Sequence, residues 1–300
     1  MRTPPPITAA RSRSDAMLGN VLFLPALAVI VLLFVIPVLY ELVISLYRSR
    51  LYEQTNPFVG LQNYAWLFRT GDFPTAMLNT LIWTVGSVIG QAAVGIFLAV
   101  VLMQDLPGRN VFRTLLLCTW IMPGVVGGII WRWMFDPIVG ILNAALSIVG
   151  LPEFDWLGQT STALGCCILA NIWKGVPFWL LMVSARLQAV PSELYDAAAV
   201  DGAGWRHRFV HITIPQIRGV VTICALLSFI WTFNSFDLIY ALTRGGPDIA
   251  TTTVPMLIYE IGMRNGHYGE AAASSIILLI MMAAAIGIFM RRSLTRQEET

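Results

Sequence analysis

Apolar residues run along this chain in long continuous blocks, not in alternation. Blocks over 18–47, 76–103, 111–135, 161–187, 220–242 and 270–290 each supply roughly 20 mostly apolar residues, enough to cross a bilayer as a helix. Barrel strands would alternate with a period of two, so the continuous runs predict helices. Polar or Gly/Pro-bearing segments separate them at 48–75, 104–110, 136–160, 190–219 and 243–269. The pattern predicts an all-α membrane protein with six transmembrane helices over 18–292. The Pro-rich, basic segment 1–17 shows no packing pattern and is expected to be mobile, and 293–300 is a charged tail. The first block is longer than a signal-peptide core and carries no small-x-small cleavage site. It is therefore read as a retained span, with Pro25 and Pro37 inside it.

The segment 190–219, VPSELYDAAAVDGAGWRHRFVHITIPQIRG, breaks the pattern most deeply. It holds Glu193, Asp196, Asp201, Arg206, Arg208 and Arg218, and two of the three histidines. Pro191 suits the first turn of a helix, and Gly202 suits the left-handed residue that closes one. Trp205, Phe209 and Ile212 then recur at helical spacing until Pro215, where the pattern is expected to stop. The prediction is a short amphipathic helix–Gly–helix unit between two spans. Its small residues Ala197, Ala198 and Ala203 let another surface approach the backbone closely.

Composition supports a lipid solvent. The chain is 57% hydrophobic and 12% charged, against roughly 25% charged for soluble domains. A net charge of +2 is too small to argue for nucleic acid. Cys118, Cys166, Cys167 and Cys224 lie in apolar stretches and read as packing residues, with no disulfide framework. Six spans put both termini on one side. With the termini inside, the inner segments hold Arg2, 11, 13, 109, 113, 186, 206, 208, 218, 291, 292 and 296, twelve in all. The outer loops hold only Arg48, Arg50, Arg69, Arg244 and Arg264, five in all. This asymmetry favours termini and the 190–219 loop in the cytoplasm.

The phrase Asp196-Ala-Ala-x-x-Asp201-Gly-Ala, followed by Phe209, Ile212 and Ile214-Pro215, resembles the EAA loop of permease subunits of ATP-binding-cassette importers. Asp196 stands where that loop usually has Glu, and Ile214 where it has Leu. Gly219 stands where a second Pro is common, a change expected to loosen the start of the next span. Phe58-Val-Gly-Leu-Gln-Asn-Tyr64 is similar to a first outer loop of sugar-type permeases. Leu242-Thr-Arg-Gly-Gly-Pro247 with Tyr268-Gly-Glu-Ala-Ala-Ala273 is similar to their last one. The resemblance covers about 18–292 and is to the carbohydrate-uptake, maltose-type group, which also includes polyol and glycerol 3-phosphate permeases. It implies the type I importer permease fold, located in the inner membrane of a prokaryote. It also implies a second homologous permease, two ATP-binding subunits, a solute-binding protein outside and membrane lipid around. ATP and Mg would sit on the partner ATPase, and this chain would bind no cofactor itself. Glu193, Asp196, Ala197, Ala198, Asp201, Gly202, Ala203 and Phe209 would form the ATPase-coupling surface, within helices over 191–210.

Polar groups near mid-membrane are costly and usually face a cavity or a partner. The fourth block carries Asn171, Trp173 and Lys174, and the fifth carries Trp231, Asn234, Asp237 and Tyr240. Steps of three put Trp231, Asn234 and Asp237 on one helical face. Amides and carboxylates bind hydroxyls and aromatic faces cover sugar rings, so these residues are candidates for a solute pathway. A purely structural alternative stands beside each. Lys174 has the option of pairing with Asp237 or a backbone carbonyl, Asn234 of bridging helices, and Trp173 and Trp231 of packing or marking the membrane interface. Arg132 is expected to snorkel. No G-x-x-x-x-G-K-[ST] phosphate loop occurs and no histidine lies in a block, which disfavours ATP binding and His-based catalysis. A six-span intramembrane enzyme is the competing reading from a different class.

Overall fold

The computed structural model describes residues 23–104 and 106–297, with side chains as far as residue 291. The segment 1–17 and the last three residues of the tail lie outside the described residues. In chain order the helices are α1 (Phe23–Ile44), α2 (Gln62–Arg69), α3 (Asp72–Val101), α4 (Arg109–Ile121), α5 (Gly124–Met134) and α6 (Ile141–Ile148). They continue with α7 (Ala163–Gln188), α8 (Ser192–Val200), α9 (Trp205–Phe233), α10 (Asp237–Leu242), α11 (Val254–Tyr259) and α12 (Tyr268–Gln297). Five of them are long and apolar enough to cross a membrane, and the count is six when the bent pair α4–α5 is taken as one span. The segments expected to be loops contain α2, α6 and α11, and α12 runs on through most of the expected tail.

Prolines decide where the apolar blocks stay whole. The third block, expected as one helix over 111–135, is broken at Met122–Pro123 and bends by 106°. The residue before a proline is pushed into the extended region, and Met122 sits there, at φ −63° and ψ 132°. Pro215 does the opposite of what its position predicts. It does not stop the helix, which runs unbroken from Trp205 to Phe233. The turn before it widens over Phe209–Thr213, so that the Ile214 N–H reaches the Phe209 carbonyl. A wide turn of this kind gives the pyrrolidine ring room and absorbs the missing donor. The same device accompanies Pro37 in α1, where residues Val31–Val35 form the wide turn. Gly219 lies well inside the continuous α9 and loosens no span start. The fifth block, expected over 220–242, instead ends as a helix at Phe233, turns through Asn234–Phe236 and restarts as α10.

The centre of the bundle is α3 against α7, with α9 across both and α5 against α10. The α3–α7 seam is narrow: a methyl group at Gly90 would collide with Ile172. At the end of the bundle opposite α8, side chains tie loops to helices. Asn63 Nδ2 donates to the carbonyls of Ser45 (2.8 Å) and Tyr47 (2.9 Å). Asn79 Nδ2 donates to those of Ile249 (3.0 Å) and Thr252 (3.1 Å). Arg50 reaches the buried Glu270 at 3.2 Å. The loop phrases around Phe58–Tyr64 and 242–253 therefore fasten α1, α3 and α12 together. Cys166, Cys167 and Cys224 are buried, as packing residues should be, whereas Cys118 is exposed on α4.

Candidate functional site

Two regions on α9 gather the candidate residues. The first is the hairpin made by α8 and the start of α9. Pro191 is the N-cap of α8 and not its first residue. At the other end the Ala203 N–H bonds the Ala198 carbonyl (2.9 Å) and the Gly202 N–H bonds that of Ala199 (3.1 Å). This is the paired closure that a left-handed residue makes possible, and Gly202 has φ +75°. Glu193, Asp196, Ala197, Asp201 and Gly202 are exposed, and Ala198, Ala203 and Phe209 are half-buried. The hairpin has a firm base. Tyr195 Oη and Thr213 Oγ1 lie 3.2 Å apart. Arg186, at the end of α7, donates to the Gln216 carbonyl and to its Oε1, both at 2.8 Å. The Arg186–Gln216 clamp carries no sequence signal, because its members are 30 residues apart.

The second region is a cavity of about 390 Å³ at the other end of α9. It brings together Asn171, Lys174, Trp231, Asn234 and Asp237. It does so by the break after Phe233 and not by one helical face: the single-face expectation fails because Asp237 begins a separate helix. Trp173 and Tyr240 do not line it. Trp173 packs edge-on against Trp131 (5.8 Å between centroids), and Tyr240 stacks on Phe236 (5.0 Å).

Buried amides shape the cavity wall. Gln91 Nε2 donates to the Asn171 carbonyl at 3.1 Å, and Trp179 Nε1 to Ser228 Oγ at 2.9 Å. The Gln91 amide lies on the backbone of Gly175, where any side chain would collide with it. The Asp237 carboxylate lies equally close to Gly124, in the first turn of α5, where the helix dipole favours a negative charge. Lys174 forms no ion pair with Asp237, and no hydrogen-bond partner for it exists among the described residues. Trp231 sits edge-on to Phe178 (5.0 Å), which stacks on Trp120 (6.0 Å). A polar rim beside an aromatic wall suits a small polyhydroxylated solute. Gln91, Gly175 and Trp120 line the cavity and Gly124 backs Asp237, but sequence carries no signal for them, since each meets the other site residues only across a long stretch of chain.

Residues 91–298 match the family of binding-protein-dependent transport system inner membrane components. The chain belongs to this family, and so is a multi-pass component of an importer. It is 34% identical to the trehalose/maltose transport system permease protein MalF of Thermococcus litoralis, over 89% of this chain and 90% of that protein. It is 31% identical to the sulfoquinovosyl glycerol transport system permease protein SmoG of Agrobacterium fabrum, over 86% of this chain and 85% of that protein. These relatives are named as transport permeases, not enzymes. The fold superposes on a chain of a bacterial ABC transporter that imports the acidic polysaccharide alginate. The TM-score is 0.77 at 22% identity, covering 93% of this chain and 96% of that one.

Proposed function

We propose that the chain is the membrane-spanning permease subunit of an ATP-driven sugar importer, and that α9 is its coupling lever. The observation that carries this reading is the continuity of α9. Its 29 residues join the exposed hairpin to Trp231 in the cavity wall without a break, a span of about 44 Å. In this reading α8 and the start of α9 seat on a cytoplasmic ATP-binding subunit, which holds ATP and Mg. Closure of two such subunits moves the base of α9, and the Arg186–Gln216 clamp carries α7 with it. Both helices wall the cavity, so it changes its access from one side of the membrane to the other. A second homologous permease completes the pathway, and an external solute-binding protein delivers the solute. The asymmetry of arginines supports cytoplasmic termini and a cytoplasmic hairpin. The names of the relatives and the aromatic, amide-rimmed cavity support a sugar or close analogue as solute.

Purification of the tagged chain from native membranes in mild detergent tests the assembly. An ATPase and a second permease in stoichiometric amounts are expected. A stable chain without an ATPase, under conditions that preserve related importers, would overturn the coupling role.

A further inference from the structure

A cavity of about 710 Å³ lies between the last turns of α3 and the hairpin, away from the solute cavity. Its α3 wall is apolar, built from Ile96, Phe97, Val100 and their neighbours. Its hairpin wall carries Tyr195, Trp205 and Arg208. The Arg208 Nε is buried and has no hydrogen-bond partner, and Arg208 has no ion-pair partner among the described residues. A buried donor of a charged group left unmatched is costly, so an anion there would complete the site. The wall from Ala93 to Val101 runs about 12 Å along the helix axis, close to the ~15 Å of hydrocarbon in one leaflet. Trp205 lines the cavity and is 68% exposed, and an amphipathic ring of this kind suits the headgroup level.

We propose that this cavity binds one anionic glycerophospholipid of the cytoplasmic leaflet. The phosphate pairs with Arg208 and an acyl chain lies along α3. Guanidinium–phosphate pairs are strong and directional, and the apolar wall rules against a free phosphate as the resident ligand. The site rests on the cytoplasmic placement of the hairpin proposed above. A lipid held there bridges α3 to the moving base of α9, so its presence stiffens the hairpin and raises coupling.

The test uses the assembled transporter in phosphatidylcholine vesicles with or without phosphatidylglycerol. Solute-stimulated ATP hydrolysis is expected to rise severalfold with phosphatidylglycerol. Arg208→Gln should lose most of that rise, while Arg218→Gln, exposed and outside the cavity, should keep it. An equal rise in Arg208→Gln overturns the proposal. If that variant fails to assemble, a photoreactive amino acid placed at Val100 in the otherwise native complex decides. Crosslinks to phosphatidylglycerol are expected. Crosslinks to the second permease, to residues 1–22, or to phosphatidylcholine with no preference for the anionic lipid, overturn it.

Discussion

The two ends of α9 present opposite chemistry. At the hairpin, Leu194 is 43% exposed and Val200 is 89% exposed on α8. At the cavity, the polar groups Gln91, Asn171, Ser228 and Thr232 are buried and held by neighbouring helices. Internal stability explains neither arrangement, because apolar exposure and polar burial both cost free energy. What they share is an absent counterpart. Exposed apolar residues on a short, capped helix suit a protein surface, and preset amides beside bare aromatic rings suit a small polar solute. One continuous helix joins these ends, which is why it is the proposed lever between them.

The comparison breaks first at the cavity's back wall. Gly124→Leu places a side chain where the Asp237 carboxylate lies, in a seam where α10 also crowds Gly128. Overpacking of this kind costs about 1–3 kcal/mol. Uptake is expected to fall by about tenfold or more, with a lowered thermal midpoint. Unchanged uptake would remove Asp237 from the site.

At the hairpin end, Gly202→Val tests a different mechanism. Nothing lies within 4 Å of the position, so there is no clash, only a left-handed φ of +75° that a β-branched residue tolerates badly. The strain is about 1–3 kcal/mol and local. Membrane insertion and solute binding should be normal, while solute-stimulated ATP hydrolysis and uptake fall together, by about fivefold to tenfold. Uptake that falls without any change in hydrolysis would place the hairpin outside the coupling route.

Those two glycines show what a sequence displays and what it hides. Gly202 was legible because its role is local: φ depends on the chain just around it, and Ala197–Ala203 spells out the helix end. The long spans were legible for the same reason, since each buries a continuous apolar run. Gly124 was not, because its partner is Asp237, more than a hundred residues away. The same holds for Gln91 on Gly175 and for Arg186 on Gln216. Prolines misled in both directions. Pro123 broke a block that looked whole, and Pro215 left whole a helix that looked broken. The ring imposes the same local demand each time, and the neighbouring turns decide whether extension or a wide turn meets it.

Lys174→Met separates the pathway role from the structural one left open by sequence. A lysine holding Asp237 would cost 3–5 kcal/mol or so when removed from a buried pair, but no such pair exists here. The thermal midpoint should therefore hold, and uptake should fall by about threefold to tenfold through weaker solute transfer. A midpoint that collapses while uptake per folded transporter stays constant would return Lys174 to a structural role.

The smallest effect is expected at Asn234, although it lines the same cavity. Its Nδ2 is already spent on the Ile230 carbonyl (3.0 Å) and on Met282 Sδ of α12 (3.0 Å). The amide thus closes the end of α9 and touches the last span, and only its Oδ1 is left for a solute hydroxyl. Asn234→Ala removes one backbone bond at an exposed helix end, about 1 kcal/mol of stability. Uptake should change by no more than about fivefold, in the apparent affinity for solute and not in the maximal rate. Asn234→Asp supplies the contrast: it keeps an acceptor for the solute and loses the Nδ2 donor. If Asp restores affinity while Ala does not, Oδ1 contacts the solute. If both behave alike, the loss lies in the α9 end, and the cavity end of the lever is set by backbone closure and not by solute contact at this residue.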